Sequence, residues 1–210
     1  MSRDSKSDFR SRSYRAALLS EDNWFRQANG LLESAQALQP LVKKAREARR
    51  NAAKQEPFVW PSETNAPIAI QMMLFSFAFE NLLKGSLIQH NKTDYGRQLQ
   101  NEPALPEDLK DHDLVKLTVK ARKAANVGGE LDSDDEELLM RLTRRAVWQG
   151  RYPVPLKSRD MAGLNRLRSG EVRSMSQETS TDPWDAVRLF NELSLTLGLQ
   201  LPRASRPATR

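Results

Sequence analysis

Apolar residues along this chain recur mostly at intervals of three and four, the spacing of one face of an α-helix. No run alternates apolar and polar positions over several residues, as a half-buried strand would. The pattern predicts an all-α fold of five main helices. The first starts at Ser20, where a hydroxyl followed by Glu21 and Asp22 suits a helix N-terminus. Its apolar stripe begins at Trp24 and Phe25, passes through Ala28, Leu32, Ala35 and Val42, and ends at Ala48, roughly seven turns. Pro40 falls inside it. An interior proline lacks the N–H and clashes with the preceding turn, at about 3 kcal/mol, so this long helix is expected to kink or break near Gln39.

Residues 66–90 form the stretch around which the rest is arranged. Apolar side chains cover nearly the whole circumference of a helix here, which calls for burial on most sides. Charges interrupt it often enough that a membrane span is not expected. One polar ridge runs along it: Ser76, Glu80 and Lys84, each four residues after the last and so on one face. Buried charges need partners, because an unpaired one is costly.

Pro57 and Pro61 mark the preceding loop, and Gly96, Pro103 and Pro106 mark residues 91–107 as another. Asp111 or Asp113 is expected to cap the third helix, which ends before Gly128 and Gly129. Ser133 to Glu136 reads as a capping box opening the fourth. Pro153 and Pro155 exclude a helix after Gly150. Residues 160–167 suit a short helix and the Ser/Thr-rich residues 170–181 a loose segment. Thr181, Asp182 and Pro183 start the last helix. Trp24, Trp148 and Trp184 occupy apolar positions and read as core, whereas Trp60, between prolines, reads as exposed. Residues 1–19 and 201–210 are expected to be flexible basic tails on a single domain spanning 20–200.

The chain has 210 residues, no cysteine and two histidines, so disulfides and cysteine nucleophiles are excluded and neither a metal nor a cofactor is expected. The N-terminal residues lack the apolar core of a signal peptide, and a cytoplasmic protein is expected. A net charge of +6 is compatible with an anionic partner such as RNA, and equally with ordinary solubility.

Three short motifs then stand in order: Glu80-Asn81-Leu82-Leu83-Lys84, His112-Asp113-Leu114 and Arg151-Tyr152-Pro153. Together they resemble the signature positions of HEPN domains, over about residues 24–153. The resemblance implies an antiparallel HEPN-like bundle, frequent homodimerisation, and work in RNA cleavage, nucleotide binding or toxin–antitoxin pairing of the bacterial defence type. One departure matters. HEPN ribonucleases carry an Arg followed, after four to six residues, by a His; neither histidine here has such an arginine upstream, and only Lys84 precedes His90 at that spacing.

The candidate catalytic residues are therefore His112, as a base, and Arg151, for phosphate charge. Glu80, Lys84, Tyr152, Arg141 and Arg145 are candidates for binding. Each also has a purely structural use: Glu80 and Lys84 can satisfy each other, His112 can bond a neighbouring helix, and Arg141 with Arg145 can form a solvated face. The expected function is an RNA- or nucleotide-interacting module. The alternatives are a catalytically inert partner for a nucleotidyltransferase-type protein and, third, a metal-independent ribonuclease with a non-standard site. Glu80, Lys84, His112 and Arg151 are expected to converge.

Overall fold

The computed structural model describes residues 3–54, 65–101, 104–146, 164–166, 172–174 and 179–201. They form α1 (Arg3–Leu18), α2 (Glu21–Ala37), α3 (Gln39–Ala52), α4 (Asn65–Asn101), α5 (Glu107–Lys110), α6 (Leu114–Ala124), α7 (Ser133–Arg144), the strands β1 (Leu164–Arg166) and β2 (Val172–Ser174), and α8 (Asp182–Thr196). The architecture is helical. The two strands make one antiparallel hairpin with Asn165 opposite Arg173. Residues 164–166, inside the short helix expected over 160–167, are a strand instead, as are residues 172–174 inside the segment expected to be loose.

The long first helix is two helices. Leu38 serves both as C-cap of α2 and N-cap of α3, and Pro40 lies in the first turn of α3, where its missing N–H costs nothing. The carbonyl of Ala35 accepts from Leu38 N at 3.3 Å and from the buried side-chain amide of Gln71 at 2.9 Å. Gln71 Nε2 also donates to Gln39 Oε1 at 2.9 Å, so α4 pins the joint. Beyond it, Val42 and Ala45 form with Ile68 a small apolar cluster apart from the main core.

Helix α4 is the central strut. Phe75, Ala78, Phe79, Leu82, Leu83 and Ile88 are fully buried, and each large side chain contributes about 1.5–3 kcal/mol on leaving water. Helix α2 lies along it most extensively, and α3, α6, α7 and α8 also pack against it. Gly85 permits the close approach of α2: a Cβ there would stand 2.6 Å from the Phe25 ring. Phe79 meets Phe190 of α8 edge to face, with centroids 5.6 Å apart. By length and composition α4 could also cross a membrane, but half of its most apolar window is buried inside the bundle.

Three expectations at the edges of this core are corrected. The N-terminal segment is helical as α1, with Leu18 buried in the core and Arg15 Nη2 donating to Leu99 O at 3.2 Å. The expected loop after residue 90 is helical to Asn101. Asn91 interrupts α4 (φ −121°, ψ 24°) because its side-chain amide donates to Leu87 O at 3.0 Å, competing with the backbone. Past that kink, Tyr95 and Leu99, one turn apart, are buried; burial, with Asp108 nearby, pushes the Tyr95 hydroxyl up to about 12. Finally, Trp184 is 70% exposed, not core.

Helix α6 ends at a Schellman motif in which Asn126 takes φ 55°, Val127 N bonds Arg122 O at 2.9 Å and Asn126 N bonds Lys123 O at 3.1 Å. Asn126, not Gly128 and Gly129, is the stop. The cap of α7 is Asp132, one residue before the expected Ser133, with Oδ1 accepting from Asp134 N at 2.8 Å.

Candidate functional site

The polar ridge of α4 meets the start of α6. Glu80 and Lys84 are one turn apart, and Lys84 Nζ donates to Glu80 Oε1 at 2.7 Å, with side chains 13% and 5% exposed. The same oxygen lies 3.0 Å from His112 Nδ1, and the His112 side chain is 60% exposed. An ionised carboxylate only accepts, so Nδ1 carries the proton of this contact. Nε2 makes no hydrogen bond among the described residues, and with Nδ1 protonated it presents a lone pair when the ring is neutral.

The first turn of α6 fixes the position of His112. Asp113 is the N-cap of α6 and accepts at 3.1 Å from both Val115 N and Lys116 N. Leu114 N donates to Thr143 Oγ1 at 3.0 Å, bringing the C-terminal turn of α7 to the same corner. Burial raises the Asp111 carboxyl, but the Asp113 N–H and the Lys120 and Lys116 charges outweigh it and hold the group below its ordinary 3.8. Lys120 bonds Asp108 at 3.1 Å and lies 3.6 Å from Asp111. Below Glu80 on the ridge, Ser76 Oγ is buried without a hydrogen-bond partner among the described residues.

Three of the four side chains expected to converge thus do so. The fourth, Arg151, lies outside the described residues, as does Tyr152. Lys84 is committed to Glu80 and buried, so its charge is not offered to a phosphate. His90 Nε2 donates to Leu197 O at 3.1 Å, at the C-terminus of α8, which separates it from Lys84 in role. Arg141 is not on a solvated face: it pairs with Glu137 and with Asp182 Oδ1 at 2.7 Å, and is 12% exposed. Arg145 is half-buried and engaged. Among the described residues no group of three or more His, Asp or Glu side chains is placed to hold a metal ion.

Asp182 carries a structural role that its position at a helix start does not reveal. It is fully buried, and besides Arg141 it accepts from Thr179 N at 3.0 Å and Thr179 Oγ1 at 2.6 Å, while its own N–H donates to Thr179 Oγ1 at 3.2 Å. That reciprocal pair leads into α8, whose N-cap Thr181 makes no side-chain cap bond. The chain matches no protein-family model, no curated protein and no solved structure.

Proposed function

We propose that this chain is an RNA- or nucleotide-interacting module of HEPN-like organisation, with its working corner at Glu80, Lys84 and His112. The observation that carries the reading is the sharing of Glu80 Oε1: two residues from α4 and one from the start of α6 meet at a single oxygen, and only the imidazole faces solvent. The chain's net charge of +6 favours a polyanion. The same corner favours a second reading, a metal-independent ribonuclease. There His112 Nε2 takes the proton of a ribose 2′-hydroxyl, the 2′-oxygen bonds phosphorus, and the 5′-oxygen leaves with a proton from solvent. Homodimerisation stays part of the proposal through the family resemblance, with Ile70 of α4 left 44% exposed.

The test incubates the full chain with mixed cellular RNA in chelator, and measures binding at two salt concentrations. The expected result is binding that falls roughly tenfold or more between 50 and 200 mM salt, weakens in Arg151→Ala, survives His112→Ala, and is accompanied by no cleavage. Cleavage abolished by His112→Ala would replace the first reading with the second. Absence of RNA binding and cleavage would sink both.

A further inference from the structure

The outward side of α8 carries two exposed large apolar residues, Trp184 at 70% and Leu195 at 81%. Eleven residues apart, they stand about 16 Å apart along the helix and about 20° apart around it, on one stripe. The adjoining stripe, Thr181, Asp185, Arg188 and Glu192, lines a cleft of about 580 Å³ between α8 and the start of α7. The cleft lining holds six carboxylates, four from residues 132–137 and the pair Asp185 and Glu192, against two guanidinium groups, Arg141 and Arg188. Both arginines are already bound: Arg141 to Glu137 and Asp182, Arg188 to Asp135 and, at 2.7 Å, Glu192. The lining therefore bears a net charge of −4 in a chain whose total is +6.

We propose that this face docks a basic amphipathic helix of a protein partner, whose apolar residues cover Trp184 and Leu195 and whose Arg and Lys residues enter the acidic cleft. An exposed tryptophan sharing a stripe with a second exposed apolar residue is the kind of anchor that protein interfaces use. Charge decides the occupant. A second copy meeting this face about a two-fold axis would set one acidic cleft against another, and RNA would be repelled by it. A cationic helix is complementary to both stripes at once.

The test titrates the full chain into a fluorescein-labelled synthetic helical peptide with Leu along one side and Arg and Lys along the other, and into a counterpart with Glu at every cationic position. Binding of the basic peptide alone is expected, weakened about tenfold or more by Trp184→Ala and by the double variant Asp185→Asn, Glu192→Gln, with the thermal melt unchanged. No binding, equal binding of the acidic peptide, or indifference to Trp184→Ala would overturn it. Binding seen only after residues 202–210 are removed would assign the face to the chain's own basic end. Self-association abolished by Trp184→Ala would assign it to a second copy. Either result also overturns the proposal, and neither depends on RNA or on His112.

Discussion

Two helices of this chain carry the same local pair, a glutamate followed four residues later by a cation: Glu80 and Lys84 on α4, Glu137 and Arg141 on α7. That order along a helix also suits the macrodipole. The difference lies in the third member. On α4 it is His112, from the exposed start of α6. On α7 it is Asp182, fully buried at the start of α8 and bonded three times over by Arg141 and Thr179. The first cluster ends in a ring nitrogen with no bond among the described residues. The second consumes its charge internally and locks two helices. A sequence spacing alone thus does not tell a working site from a brace; the exposure of the residue that closes the network does.

The sharpest way to break this contrast is Arg141→Ala. It leaves Asp182 buried without its cation, and a loss of about 3–5 kcal/mol in urea-measured stability is expected. Next comes Glu80→Ala, expected to cost about 2 kcal/mol, because the freed Lys84 can extend its stem toward solvent beside His112. If the two losses were equal, the distinction between open and closed clusters would be wrong. His112→Ala should change stability by no more than about 0.5 kcal/mol; a large loss would make His112 a brace as well.

Acid gives the smallest effect. The Asp111 carboxyl is depressed in the folded chain, so its contribution is present above 3.8 and is lost as pH falls below that value. Amide resonances of Leu114–Leu117 should therefore broaden in acid more in wild type than in Lys120→Met, with those of Thr179 and Asp182 unaffected by that substitution.

Much of the fold was legible because backbone chemistry is local. Pro40 announced the joint that falls at Leu38, Asp113 its cap, and Pro183 the start of α8. The misses have a common cause: tertiary contacts override weak local signals. Residues 1–19 look too polar to order, yet Leu18 and Arg15 tie α1 to the core. Gly96 disguised the far end of α4, although Tyr95 and Leu99 already stood one turn apart. Trp184 looked like core from its place in the apolar pattern, and its exposure follows only from which face of α8 meets α4. At the candidate site, the i, i+4 pair was readable and its meeting with His112 was expected from the need to partner buried charge. The internal role of Arg141 was not, since it depends on Asp182, 41 residues away.

The joint at Leu38 bears on how the molecule breathes. Among the described residues the buried apolar side of α3 rests on the small cluster of Val42, Ala45 and Ile68, and the amides of α3 should exchange with solvent ahead of those of α2. Arg46 of α3 donates to Ser180 O at 2.9 Å and Thr179 O at 3.0 Å, directly beside the Thr179–Asp182 pair that leads into α8. Each opening of α3 thus takes two bonds from the segment leading into α8, which Asp182 and Arg141 still hold.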